Sequence, residues 1–261
     1  MSLADLFPDA AHRFHLGLRR DESRNFFFTQ DPSGRILAER SRWLAADAAR
    51  YAALTPEGEA LLAETAGLAG QWLGAPVAPD LGALGAALEP DLLLLSRDPD
   101  GPFRLRGGVL CFPTGWALCE KLGHTLETIH GVVPGLNAAL GAQIHQFLAR
   151  LKPESACLRS NWGLAATAEL NLHPARGLPP LQPPVVPDRV WLRVERQVLV
   201  ALPRTQGILF GIRIELHPLV EVLAEPAAAA GLRRALETMP EALASYKRIA
   251  HMRRELIALL D

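Results

Sequence analysis

VWLRVERQVLVALPRTQGILFGIRIEL, residues 190–216, contains two apolar segments separated by a short polar one. In the first segment apolar residues alternate with Arg193, Glu195 and Gln197, and residues 208–214 repeat the alternation. A period of two is typical of a β-strand whose two faces lie in different environments. The intervening PRTQG has the composition of a turn, so the stretch predicts an antiparallel hairpin.

Further strands and helices are predicted on both sides of this hairpin. Residues 90–112 contain an Asp-Pro-Asp-Gly turn between two apolar runs, which predicts a second strand pair. The pattern also predicts a strand over 156–172 and, within 25–35, a short strand followed by a turn. Helices are predicted after Thr55, over 115–122, from 134, before Pro240, and as one continuous helix after Pro240. The sequence therefore predicts an α+β chain built around an antiparallel sheet with flanking helices.

The chain has no feature that divides it into separate domains. Its proline-rich stretch HPARGLPPLQPPVVPD is stiff but too short to mark a domain boundary. We expect one domain over residues 1–261, with a helical N-terminal extension over about 1–80 and C-terminal helices over about 225–261.

Composition restricts the class of protein. A net charge of −1 argues against nucleic-acid binding, which needs a basic surplus. The chain has no apolar run near the roughly 20 residues of a membrane helix and no secretory signal, so no membrane contact is expected. Three cysteines indicate reduced thiols in a cytoplasmic protein.

CFPTGWALCEKLGHTLETIH, residues 111–130, gathers reactive side chains. A zinc site formed by Cys111, Cys119, His124 and His130 is the weaker interpretation, because zinc ligands usually lie two to five residues apart. The cysteines are better interpreted as small buried hydrophobes. His130 precedes a turn and can project into a pocket, although a lone histidine more often has no such role.

Two strand segments carry polar residues with two open interpretations. Arg193, Glu195 and Gln197 share one strand face with Trp191, and Arg-Ser-Asn-Trp at 159–162 forms a similar cluster. Each is either a solvated face or the wall of a partly enclosed polar pocket.

Taken together, these segments resemble one known family, the α subunit of haem-dependent oxidative N-demethylase. The resemblance covers about residues 105–250, and the first hundred residues match only loosely. It depends on seven short motifs in order: FPTGW at 112–116, KLG at 121–123, IHGVVPG at 129–135, RSNW at 159–162, RVERQ at 193–197, LP at 202–203 and YK at 246–247.

The resemblance implies a haem-binding PAS-like domain, in which an antiparallel sheet has helices on one side and haem between them. It also implies oxidation of a small secondary amine by O2, as dimethylamine is converted to methylamine and formaldehyde. Electrons would come from separate flavin and iron–sulfur subunits. This chain has only three cysteines and no dinucleotide fingerprint, so neither an iron–sulfur cluster nor a flavin is expected in it.

The resemblance also assigns the cofactor contacts. Haem b needs a strong axial donor, and His130 is the metal ligand expected from the motif, with His124 as the alternative. Cations for the haem propionates are expected from Arg159, Arg196 or Lys121, and Arg193 is a further candidate.

The substrate side is assigned by chemistry onto motif positions. Glu195 is expected to bind the substrate ammonium, Asn161 to donate to bound oxygen, and Arg193 to polarise the same side. The chain departs from the family pattern at Val132, Ala201 and Glu215, of which the last two are expected near the pocket. A non-catalytic haem sensor or carrier and a haem-free interaction scaffold are the alternative functions.

Overall fold

The computed structural model describes residues 2–28, 30–153 and 155–260. Within them the strands are β1 (Arg19–Asp21), β2 (Ala52–Leu54), β3 (Asp91–Arg97), β4 (Phe103–Val109), β5 (Ala156–Ala165), β6 (Trp191–Ala201) and β7 (Ile208–Pro218). They form one sheet in the order β1-β5-β6-β7-β3-β4-β2, and every neighbouring pair is antiparallel. With the helices below, this confirms the predicted α+β class and antiparallel sheet.

Helices precede, interrupt and follow the sheet. They are α1 (Ser23–Phe27), α2 (Arg35–Ala46), α3 (Ala48–Tyr51), α4 (Glu59–Leu73), α5 (Leu81–Ala87), α6 (Leu126–His130), α7 (Leu136–Arg150), α8 (Leu219–Ala224), α9 (Pro226–Thr238), α10 (Glu241–Tyr246) and α11 (Arg253–Leu259). In the described part of the chain, none of them has the length and apolar character that crossing a bilayer demands.

The strand register determines which side chains share a face of the sheet. Directly opposed residues of antiparallel strands project to the same side. Asn161 is opposite Glu195, and Arg159 is opposite Gln197, so we call the face that carries these four residues the cavity face. Ser160 is opposite Arg196, which is opposite Arg213, and these three residues define the rear face.

Both faces of the sheet are covered. On the cavity face, leucines and isoleucines of β3, β4 and β7 pack with apolar residues of α6 and α7. On the rear face, one apolar cluster joins the sheet to α1, α4 and α5, and another joins β6 to α8, α9, α10 and α11. The resemblance implies helices on one side only. The second layer arises because the chain's N- and C-terminal segments pack on the rear face.

The central hairpin is confirmed, since β6 and β7 pair from Ala201–Ile208 to Trp191–Pro218. The pair β3–β4 is also confirmed.

The strand predicted at the start of 25–35 is wrong, because residues 23–27 form helix α1; Thr29 of this stretch lies outside the described residues. Tertiary contacts favour the helix over the predicted strand. The Phe27 ring stacks on Trp72 with centroids 4.3 Å apart. The Arg213 guanidinium donates to the carbonyl oxygens of Phe26 and Phe28. Gly211 makes the packing possible, because a Cβ there would lie 2.8 Å from Phe27.

Two other predicted elements are shorter than expected. The helix over 115–122 is reduced to one 3-10 turn, Leu118–Glu120, because the preceding backbone pairs with Leu172 instead of coiling. The strand from 156 ends at Ala165 rather than 172. The extended segment before the 3-10 turn presents Thr114 and Trp116 to the space beside the sheet.

The single helix predicted after Pro240 is also wrong, because the chain breaks between α10 and α11. Ile249 N donates to Ala244 O and Arg248 N donates to Ser245 O, with Arg248 at φ +58°, which is a Schellman ending. Its usual glycine is absent, so the sequence pattern does not reveal it. Lys247, which precedes the left-handed residue Arg248, is the C-cap of α10.

Over the first eighty residues the helices α1 to α4 alternate with irregular segments, and residues 7–18 form neither helix nor strand. The short strands β1 and β2 of this part lie at the two edges of the sheet. Both strands join an edge of the existing sheet, β1 against β5 and β2 against β4. The sequence gives little indication of them because each has only three residues.

Candidate functional site

A cavity of about 1510 Å³ lies between the cavity face and helices α6 and α7. Its walls are apolar at one end, with side chains from both layers: Leu93, Phe210 and Ile212 from the sheet, and Leu126, Ile129 and Ile144 from the helices. At the other end the strands β5 and β6 contribute polar side chains. The cavity also continues past β5 to the N-terminal segment around His12 and to part of the rear face.

Glu195 is the central acidic residue of the polar end. Its carboxylate accepts hydrogen bonds from Thr114 Oγ1 at 2.6 Å, Gln197 Nε2 at 2.7 Å and Asn161 Nδ2 at 3.3 Å. All three donors are neutral. Among the residues that the structure describes, no cationic side chain lies within 4.0 Å of this carboxylate. The carboxylate is thus held in place while its charge remains without a cationic partner.

Arg193 lies behind the polar side chains that surround Glu195, and it is not among the described residues that line the cavity. It is 1% exposed, and its guanidinium donates to Thr114 Oγ1 at 2.9 Å and to the carbonyl oxygens of Phe112 and Leu170 at 2.8 and 2.7 Å. Burial lowers its pKa to about 10. The structure therefore places Arg193 as the support of Thr114, one hydrogen bond away from Glu195.

His130 is the last residue of α6 and lines the cavity from the helical side. Burial lowers its pKa, and the nearby positive charge of Arg159 lowers it further. Both effects favour the neutral imidazole, which is the form that binds a metal. His124 is exposed and is not among the described residues that line the cavity.

A second cavity of about 320 Å³ lies on another side of His130, between α6 and α7. It shares His130, Leu126 and Ile144 with the larger cavity. The imidazole therefore borders two spaces rather than filling a closed core.

Three of the cations that are predicted to bind the haem propionates lie in different parts of the structure. Arg159 lines the cavity, and its buried Nε has no hydrogen-bond partner. Burial lowers its pKa, although the charge of Glu195 opposes the shift. Lys121 also lines the cavity, from the loop before α6.

Arg196 projects from the rear face. Its Nε donates to both carboxylate oxygens of Glu215 at 3.0 Å, and one terminal nitrogen donates to Ser160 Oγ at 3.0 Å. Burial would raise the pKa of Glu215, but the hydrogen-bonded guanidinium of Arg196 and the imidazole of His217, 3.6 Å away, outweigh it and hold the pKa at about 2. Arg196 thus binds a carboxylate of the protein itself, on the side of the sheet away from Glu195.

The departures from the family pattern fall in different places. Glu215 lies on the rear face, at the part of the cavity that continues past β5, on the side of the sheet away from Glu195. Ala201 does not: it is buried in the apolar core at the end of β6 and is not among the described lining residues. Val132 is exposed at the cavity rim.

Sequence reasoning missed several side chains of the polar end. Thr114 and Gln197 have no assigned role in the sequence patterns, yet both donate to Glu195. Tyr246 and Lys247 form the last short motif and line the cavity. The Nζ atom of Lys247 donates to the carbonyl oxygen of Trp162 at 2.6 Å.

The possible zinc ligands do not converge. Cys111 is fully buried, where burial raises its pKa to about 12, whereas Cys119 and His124 are exposed and His130 borders the cavity. Over residues 2–28, 30–153 and 155–260, no group of three or more His, Cys, Asp or Glu side chains is arranged to hold a metal ion.

The family pattern described as haem-dependent oxidative N-demethylase, alpha subunit-like, matches residues 41–257. The chain belongs to this family. The match begins well before residue 105, where the motif resemblance starts, so it also includes the second half of α2, helices α3 to α5 and strands β2 and β3. It covers all seven predicted site residues, and the N-terminal segment around His12 precedes it.

Proposed function

We propose that this chain binds haem b and oxidises a small secondary amine with O2, using electrons from a partner reductase. The observation that carries the proposal is one cavity bordered by the neutral imidazole of His130 and by the carboxylate of Glu195. An axial ligand and a cation-binding group are the two functions that such a reaction requires of the protein.

The cavity fits a haem group in size and polarity. Its volume of about 1510 Å³, which includes the part that continues past β5, exceeds the roughly 300–1,000 Å³ of a pocket for a drug-sized ligand and is compatible with a large cofactor. Apolar side chains from both layers supply the dry walls that a porphyrin face needs. The orphaned Nε of Arg159 is a donor that has no acceptor within the described protein, as expected for a group that binds an anion.

His130 would hold the iron, and Arg159 and Lys121 would bind the propionates. Arg196 is left out of this set because Glu215 and Ser160 already accept its hydrogen bonds. When bound, the haem supplies the one-electron and oxygen chemistry, for which amino-acid side chains have no equivalent.

The polar end of the cavity would bind and orient the substrate. Glu195 provides a fixed negative charge for the ammonium group, since its three donors are neutral and hold it in one orientation. Asn161 would donate to O2 through its second N–H, since the first donates to Glu195. Arg193 acts indirectly, because it positions Thr114 and through it the carboxylate.

The electron supply follows from the family. An α subunit implies further subunits, and the sequence has neither four cysteines for an iron–sulfur cluster nor a dinucleotide fingerprint. We therefore propose that a separate flavin and iron–sulfur reductase delivers the electrons to a single cytoplasmic PAS-like domain.

The test uses protein purified from haem-replete cells. Dimethylamine should perturb the Soret band, and formaldehyde should appear once a reductant and O2 are supplied. Glu195→Gln should retain the Soret band and lose the amine response, because the amide keeps the size of the side chain without its charge. Haem binding without any amine response would instead favour a sensor or carrier, and a colourless preparation would favour a scaffold.

A further inference from the structure

Lys247 lines the cavity beside Trp162 of β5 and has no carboxylate partner among the described residues. Its Nζ donates to the carbonyl oxygen of Trp162 at 2.6 Å and lies 4.9 Å from the centroid of the Trp162 ring. No acidic oxygen of the described residues lies within 4.0 Å of it. A carbonyl accepts a hydrogen bond from a neutral amine as well as from an ammonium, so this contact does not fix the charge of Lys247.

Each element around Lys247 brings titratable groups into its neighbourhood. Glu195 on β6 favours the charged lysine, Tyr246 precedes it on α10, Arg159 lies on β5, and His12 faces it from the N-terminal segment. Burial is the largest effect and lowers the pKa of Lys247 to about 8. The charge of Lys247 in turn lowers the pKa of His12.

We propose that Lys247 exchanges a proton with the substrate amine: its neutral amino group accepts the proton of the bound secondary ammonium. The N–H bond of the ammonium breaks, an N–H bond forms on Nζ, and the lone pair returns to the substrate nitrogen. One proton moves, the total charge of the site is unchanged, and no oxidant or reductant takes part. This inference rests on the proposed function, because it assigns a role within the same amine site.

The charge balance of the polar end supports this role. The carboxylate of Glu195 can neutralise one cation, and a second ammonium in the same partly enclosed space would be repelled. Below its pKa, Lys247 must therefore release its proton to solvent before an ammonium binds. The lone pair that results from the exchange is what an amine needs before its methyl group is oxidised.

The experiment measures dimethylamine binding to the haem-loaded, unreduced protein between pH 7 and pH 9. Aliphatic amines such as lysine have a pKa of about 10.4, so the ligand stays protonated throughout. The Kd should fall about tenfold over this range, because a group with a pKa of about 8 is only about one-tenth neutral at pH 7. Calorimetry in phosphate and in Tris should show about 0.9 proton released per amine bound at pH 7.

Variants separate this role from a structural one. Lys247→Gln should bind amine with a Kd that does not change with pH, and it should release no proton. Lys247→Arg should bind weakly at every pH, because its charge is permanent. Arg248→Gln is the matched control, since it removes the neighbouring exposed charge and should keep the wild-type slope.

The outcomes are distinguishable. A wild-type Kd that is the same at pH 7 and pH 9, or a Lys247→Gln variant that keeps the slope, overturns the assignment of Lys247 alone. Absence of amine binding at every pH overturns the proposed function, and with it this inference. If Lys247→Gln does not fold, the pH dependence of the wild-type Kd and the affinity of Lys247→Arg still test the assignment.

Discussion

The hydroxyl of Thr114 connects Arg193 to Glu195. It accepts a hydrogen bond of 2.9 Å from Arg193 Nε and donates one of 2.6 Å to Glu195 Oε1. The buried guanidinium thereby determines the direction of the hydroxyl hydrogen, because Nε–H can only donate. Arg193 does not reach the cavity, yet through Thr114 it holds the carboxylate of Glu195, which lines the cavity, in one orientation.

Replacing Thr114 with valine should weaken amine binding. The variant keeps the β-branched shape but removes a hydrogen bond worth about 1 kcal/mol, so the Kd for dimethylamine should rise about fivefold. The buried Nε of Arg193 also loses its acceptor, which should lower the free energy of unfolding by about 1–2 kcal/mol. Thr114→Ser restores the hydroxyl and should bind nearly as the wild type does; equal affinities for valine and serine would contradict the relay.

Replacing His130 with alanine should abolish haem binding. The variant removes the imidazole that borders both cavities. His124→Ala is the matched control, because that histidine is exposed and belongs to the same short segment. The Soret absorbance per protein should be lost in the first variant and kept in the second. Loss of the band only in His124→Ala would reverse the assignment.

Arg159 and Arg196 offer a comparison between the two faces of the sheet. Arg159→Gln should speed the loss of haem to apomyoglobin by at least about tenfold, since one charge-assisted contact to a propionate is worth about 1.5–3 kcal/mol. Arg196→Gln should change this rate less than about twofold, because its guanidinium binds Glu215 and Ser160 on the rear face. Similar rates for the two variants would contradict the placement of the propionates.

The architecture follows from the sequence wherever hydrophobic periodicity is strong. The sequences of β6 and β7 alternate over part of their length, at 191–197 and 208–214, and the hairpin is predicted with nearly its observed ends. The helix α1 is not predictable in this way, because Phe26, Phe27 and Phe28 satisfy a strand pattern equally well. Only stacking on Trp72 and hydrogen bonds from Arg213 favour the helix.

The residues of the site are predictable in part, but the direction of their side chains is not. The motifs identify Glu195, Asn161 and His130 because the residue types themselves carry chemistry. They do not show that Arg193, two residues before Glu195, and Arg196, the residue after it, are directed away from the substrate position. Strand alternation sends Arg196 to the rear face, whereas Arg193 shares the face of Glu195 and is covered by the segment that contains Thr114.

Acid should destabilise the protein partly through Glu215. Its pKa is about 2 in the folded protein, against an ordinary value of 4.5, so the folded state binds its proton more weakly than the unfolded state does. The contribution to stability is therefore complete above about pH 4.5 and is lost as the pH falls toward 2. Because the side chain is 41% exposed, solvent screening limits the contribution to about 1 kcal/mol.

Glu215→Gln is the variant that tests this contribution. Urea unfolding at pH 6 and pH 3 should show a loss of stability on acidification that is smaller by about 1 kcal/mol in Glu215→Gln than in the wild type. Glu22→Gln, at an exposed position before α1, should keep the full wild-type loss. An equal loss in Glu215→Gln and Glu22→Gln would mean that the Arg196–Glu215 pair contributes nothing to acid sensitivity.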